Sequence, residues 1–208
     1  MKSVIVGAHL RREDVEPIAG AIPVGDIFLS GVSVADDQPL GDRELLLRVA
    51  NTRAQLLERA TFIAIRYGVA ARSVDDAIAK CGAQATAWRE TLAANRDNVE
   101  MTLKVVASET RSRPRREDFT SGAGYLRALH AATNAAEIDP GFRDAASKLG
   151  AHRWLHRDDR SLECALLVPR DRVREVIAAG EALKRDFPHV PFLLSGPWPL
   201  EVFADDHQ

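Results

Sequence analysis

Across residues 98–106, NVEMTLKVV, apolar and polar side chains alternate without a break. Val99, Met101, Leu103 and Val105 fall to one side, Glu100, Thr102 and Lys104 to the other, and a period of two predicts a half-buried strand. The same reading along the rest of the chain predicts strands in SVIVGA at the start, in GDIFLSGVSV (25–34), and in TFIAIRYG (61–68), which stops at Gly68. Apolar residues at three- and four-residue spacing mark helices instead. Leu46, Val49, Ala50 and Leu57 follow Asp42, a candidate cap. Val74, Ile78, Cys81, Ala85, Trp88 and Leu92 predict one continuous helix opened by Ser73 and Asp76, which resemble a capping box. Residues 124–150 read as a helix broken or kinked near Pro140 and closed by Gly150. Two strands, AHRWLHR and SLECALLV, flank a turn at Asp158–Asp159. A helix carrying Val173, Val176, Ile177, Gly180, Leu183 and Phe187 then ends at Pro188, before a last strand in VPFLLSG.

From residue 98 onward this order is β-α-β-β-α-β, the split βαβ plan in which two helices cover one face of a four-stranded sheet. The fold class expected is therefore α+β with two domains. Residues 1–97 form an N-terminal α/β unit, and residues 98–208 a ferredoxin-like domain that carries a Gly-Pro-Trp-Pro tail.

Composition narrows the function. The 208 residues are 46% hydrophobic and 28% charged, which is globular, and a net charge of −2 supplies no basic field for nucleic acid. The two cysteines, Cys81 and Cys164, lie in apolar periodic segments and read as buried free thiols, which suits a reducing cytoplasm. No apolar run approaches the roughly 20 residues that cross a bilayer, and the first residues lack the apolar core and cleavage site of a signal peptide.

Candidate chemistry is sparse. No zinc-protease, nucleophile-elbow, phosphate-loop or paired-cysteine motif occurs. Gly122 and Gly124 open a helix whose N-terminus suits an anion, or are simply a flexible entry to it. His152 and His156 on one strand stand roughly 13 Å apart, too far to chelate one metal. Arg111, Arg113, Arg115 and Arg116 could meet phosphates, but Glu109, Glu117 and Asp118 offset them and no aromatic is interleaved. Glu100 and Lys104 read as exposed sheet residues too far apart for a tight pair. Arg66, at the end of an apolar strand, needs a carboxylate or a partner if it is buried. No metal or cofactor is expected.

Four segments then carry a resemblance. FIAIRYGVAARSVDDAIAKC, NVEMTLKVV, SGAGYLRALHAA and the terminal GPWPLEVF, in that order and spacing, resemble the gas vesicle protein F/L family from about residue 42 onward. The family's central Pro-hydrophobic-Arg-Phe-Gly motif is matched by Ala64-Ile65-Arg66-Tyr67-Gly68. Its Glu and Val-Lys-Val element is matched by Glu100 and Leu103-Lys104-Val105, and its Gly-Pro-Trp-Pro-Pro-Tyr-Ser-Phe signature by Gly196, Pro197, Trp198, Pro199 and Phe203. Ala64 and Leu200 stand where the pattern has prolines, and Glu201 where it often has tyrosine. The resemblance implies a two-domain, non-catalytic accessory protein. Its implied setting is the cytoplasm, at the gas vesicle, where it binds the main shell protein and other accessory proteins during nucleation or assembly. It also implies partner-binding or domain-junction roles for Arg66, Tyr67, Gly68, Glu100, Lys104, Trp198 and Phe203.

The Gly196–Pro199 stretch admits two roles. The prolines present the tail rigidly, so Trp198 and Phe203 either pack back on the body as a staple or meet a partner. A ferredoxin-like small-molecule-binding protein or enzyme, with a pocket near Arg66 and Trp198, is the alternative function.

Overall fold

Valines at alternate positions organise the first sheet. Val4 and Val6 on β1 (Lys2–His9) and Val32 and Val34 on β3 (Ile27–Val34) face the buried Leu45, Val49 and Leu56 of α1 (Arg43–Arg59). The Asp42 carboxylate caps α1, accepting the Leu45 N–H at 2.9 Å. The computed structural model describes residues 1–106, 114–134, 138–158 and 161–204.

The antiparallel first sheet runs β2 (Gly20–Val24), β3, β1, β4 (Ile63–Ala64), with β5 (Ala70–Ala71) also paired to β1. Ile5, Ile27 and Leu29, also buried, alternate to its second face. There α2 (Val74–Cys81) and α3 (Ala85–Ala94) pack on the strands. Three expectations change here. β2 is additional, joined to β3 by a hairpin at Gly25–Asp26. The strand expected over 61–68 shrinks to β4, because the chain leaves the sheet at Arg66–Gly68 and rejoins it only as β5, and β1 bulges between Ile5 and Gly7. The continuous helix over 74–92 is broken by a 3-10 turn at Gly82–Gln84, which shifts the helical phase. Val74 and Ile78 consequently face solvent, at 44% and 45% exposure, while Ala77, Cys81 and Leu92 are buried.

The second sheet runs β7 (Ala151–Asp158), β8 (Ser161–Pro169), β6 (Asn98–Val106), β9 (Phe192–Trp198), antiparallel, in the split βαβ order. Met101, Leu103 and Val105 of β6 and Cys164, Leu166 and Val168 of β8 supply its buried face. Phe142 and Ala146 of α5 (Pro140–Ser147) and Val176 and Leu183 of α6 (Val173–Asp186) cover it. The helix expected to be broken or kinked near Pro140 is broken into two, α4 (Gly122–Asn134) and α5. Pro140 opens α5, where its missing N–H is one the helix leaves unbonded anyway, and Asp139 caps it through the Phe142 N–H at 3.0 Å. Asp159, in the expected turn, lies outside the described residues.

The chain divides into two compact units, but not as a cut at 97/98. Met1–Val99 group with the segment from Trp198 onward, and Glu100–Pro197 form the other unit. The tail expected to belong to the second domain thus returns to the first.

Candidate functional site

That return is a strand-like contact on the edge of β4. The Leu200 N–H donates to the Phe62 carbonyl at 2.9 Å, and the Ala64 N–H donates to the Leu200 carbonyl at 3.0 Å, a parallel bridge centred on Ile63 and Leu200. The Leu200 side chain is fully buried, and a 3-10 turn at Val202–Ala204 follows with Ala204 also buried. Ala64 and Leu200 supply the two N–H donors of this bridge; a proline at either would remove one.

Below it sits an aromatic and histidine pair. His9 stacks on Phe62 at 5.0 Å between ring centroids. The approach is possible because residue 7 is glycine: a Cβ there would lie 2.3 Å from the Phe62 ring. Ser30 Oγ donates to the Gly7 carbonyl at 3.2 Å, so His9 Nε2–H donates to Ser30 Oγ at 3.0 Å. His9 Nδ1 is then a bare acceptor, buried and without a partner among the described residues. Burial lowers the imidazole pKa to about 4, against a smaller upward pull from Asp14.

Arg53 of α1 reaches the backbone just after β4. Its Nη2 donates to the Ile65 carbonyl and its Nε is buried without a hydrogen bond among the described residues. Desolvation lowers its pKa, and the Glu201 carboxylate partly opposes that. Spacing could have found it, because Arg53 lies four residues after Val49 and three before Leu56, on the flank of the core stripe. His9, Ser30 and Leu200 gave no such signal, since their role is set by neighbours far along the chain.

The residues expected at a site are dispersed by this arrangement. Arg66 is exposed and makes no ion pair among the described residues, so the carboxylate that a buried arginine would need is not called for. Tyr67 packs against the α1 core and donates its hydroxyl to the Leu40 carbonyl, a structural role. Gly68 is exposed at φ +102°. Glu100, expected to be exposed, is buried at 3% exposure, whereas Lys104 is exposed and pairs at 3.8 Å with Glu163 across on β8. Trp198 is 48% exposed, so Leu200 is the anchor that Trp198 was expected to be; Phe203 is half-buried. Gly196 has φ +125°, a backbone conformation that L side chains rarely adopt, and the Gly196–Pro197 peptide is cis, while Pro199 leads into Leu200.

The remaining candidates carry little chemistry. Arg115 lies 3.5 Å from Glu117 and Arg116 donates to the Phe119 carbonyl; Glu109, Arg111 and Arg113 lie outside the described residues. His152 is exposed, and the His156 side chain lies outside them too. Burial pushes the Cys164 thiol up to about 12 and Cys81 upward as well, which leaves both unreactive. A cavity of about 530 Å³ lies between Glu16, Gly20, Ser33, Arg48 and Gln55; neither Arg66 nor Trp198 lines it. Among the described residues no three acidic, histidine or cysteine side chains converge as metal ligands, and no helix is long and apolar enough to cross a membrane.

Residues 19–204 match the family described as gas vesicle synthesis protein GvpL/GvpF. The fold is similar to the crystal structure of gas vesicle protein GvpF from Anabaena sp. PCC7120, with a TM-score of 0.71 at 12% identity over 100% of this chain and 98% of that one. It is likewise similar to GvpF from Microcystis aeruginosa, with a TM-score of 0.69 at 12% identity over 98% of this chain and 99% of that one. No curated protein sequence matches significantly.

Proposed function

Because this chain belongs to the gas vesicle synthesis GvpL/GvpF family, we propose that it is a non-catalytic assembly factor that binds the main shell protein during vesicle nucleation or growth. It works in the cytoplasm beside the growing vesicle, together with other accessory proteins. One observation carries the non-catalytic part: the polar groups of the family-like segments are spent on the fold or left apart. Tyr67 bonds Leu40, the Ala64 and Leu200 amides bond across the β4 edge, and the Ser30 hydroxyl that meets His9 is buried and gives its proton to the Gly7 carbonyl. Arg66 and Trp198, both exposed, are the contacts assigned to the partner.

The test is capture of the co-expressed shell protein by the tagged chain, with Arg66→Ala and Trp198→Ala alongside. Capture by wild type, weakened in variants that stay folded, is the expected result. No capture by a well-folded wild type overturns the shell-binding reading.

A further inference from the structure

Pairing between β2 and β3 stops at Gly20 and Gly31, while β3 runs on to Val34 paired with β1. The chain before Gly20 turns away from the strand line, with the Ile18 and Ala19 N–H groups bonded to the Val15 carbonyl at 2.9 and 3.0 Å. The cavity of about 530 Å³ opens there, beside Gly20 and Gly31, with α1 on its other side.

Polar groups of α1 line this cleft at helical spacing. Arg48, Asn51 and Gln55 lie three and four residues apart, on one face of the helix beside the Leu45, Val49 and Leu56 stripe that enters the core. Arg48 Nη2 donates to the Ser33 carbonyl at 3.1 Å, which holds the guanidinium at the cleft and leaves its other N–H groups unspent. Neither the Asn51 nor the Gln55 side-chain amide is hydrogen-bonded among the described residues. Of the charged residues that line the cleft, Glu16 is already paired with Arg12 at 2.6 Å, whereas Arg48 makes no ion pair among the described residues. The uncompensated charge is therefore positive.

We propose that this cleft binds a small, non-aromatic organic oxyanion: a carboxylate or a phosphate ester that also carries hydroxyl groups. The planar Arg48 guanidinium suits an oxyanion held through two parallel hydrogen bonds. The Asn51 and Gln55 amides, each both donor and acceptor, suit the hydroxyls. No aromatic side chain lines the cleft, so nothing in it would stack on a nucleobase. Its volume falls in the range of about 300–1,000 Å³ usual for small-ligand sites. The site lies wholly within the first unit and does not depend on shell binding.

The test is titration of the full chain with citrate and with ribose 5-phosphate, read by nuclear magnetic resonance at the Asn51 and Gln55 side-chain amides and the Gly20 N–H. Acetate and inorganic phosphate serve as the bare anions. Saturable binding of at least one organic anion is expected, with the shifts centred on those three groups. Arg48→Ala should weaken it about tenfold, and Arg48→Lys by less, since lysine keeps the charge but not the fork. Arg59→Ala, which removes an exposed arginine of α1 outside the cleft, should bind as wild type does. Thermal melts verify that the variants stay folded. Tighter binding of ribose 5-phosphate assigns the ligand as a phosphate ester, and tighter binding of citrate as a carboxylate. Binding of neither at millimolar concentration overturns the site. Binding that Arg48→Ala leaves unchanged, or that Arg59→Ala weakens equally, overturns it as well, because the attraction is then general surface charge. Bare anions bound as tightly as the organic ones also overturn it, since the amides then contribute nothing.

Discussion

Ala64 and Leu200 hold each other's strand: the Ala64 N–H donates to the Leu200 carbonyl at 3.0 Å, and the Leu200 N–H returns a bond to Phe62 at 2.9 Å. Both are main-chain donors that a proline would lack, so the bridge needs an N–H at each of the two positions. An edge strand tolerates proline where its N–H points away from the sheet. The two positions therefore act together, as one bridge.

Proline at these two positions is expected to be non-additive. Ala64→Pro should lower stability by about 1 kcal/mol, the net value of one hydrogen bond. Leu200→Pro should cost more, because the buried leucine goes with the amide. In urea denaturation the double variant should fall short of the sum of the singles, since the first proline already opens the bridge. Strict additivity would show that the two bonds are independent.

Leu200→Ala should destabilise by about 2–5 kcal/mol, as a fully buried leucine does when truncated. Trp198→Ala should cost less, because the residue is 48% exposed. Chemical denaturation of the pair at one pH reads the order directly. A larger loss at Trp198 would move the anchor back to the tryptophan.

Acid should weaken the protein through His9. Its folded pKa of about 4 lies below the ordinary value of 6.5, so the unfolded chain takes up the proton first. The stability is fully present above pH 6.5 and is lost as pH falls from there toward 4. Between pH 7 and pH 5 the loss is on the order of 2 kcal/mol. His9→Gln should flatten that part of the profile. A stability curve with the same slope in both proteins would assign the acid sensitivity to other groups.

Gly196→Ala tests the turn into the tail. At φ +125° an L side chain is strained, and a Cβ there would sit 3.1 Å from the Glu100 carbonyl oxygen and the Met101 Cα. A loss of about 1–3 kcal/mol is expected in the same unfolding assay. Wild-type stability would mean that this backbone relaxes easily.

Much of the architecture is legible from local pattern alone. The alternation over Asn98–Val106 and the caps at Asp42 and Ser73 each act within a few residues, and the structure places them as their spacing implies. The misread elements depend on distant neighbours. Residues 61–68 are as β-branched as a strand, yet β1 takes only two of them in β4. Glu100 has the alternation of a solvent-facing residue and is nonetheless buried, and an exposed Arg66 looks the same in sequence as a paired one. The candidate site was half visible: the terminal motif announced that the tail matters, but nothing local distinguishes Leu200 as its anchor.

The returning tail also orders events in time. The first unit is built from early residues, but its β4 edge is bridged only after residues 100–197 have been translated. At about 5–20 residues per second, the ribosome needs roughly 5–20 s to make that insertion. Throughout that interval the Phe62 carbonyl and the Ala64 amide are open on the nascent chain. A polypeptide released before Leu200 keeps them open, and so carries a mark by which an unfinished copy differs from a finished one.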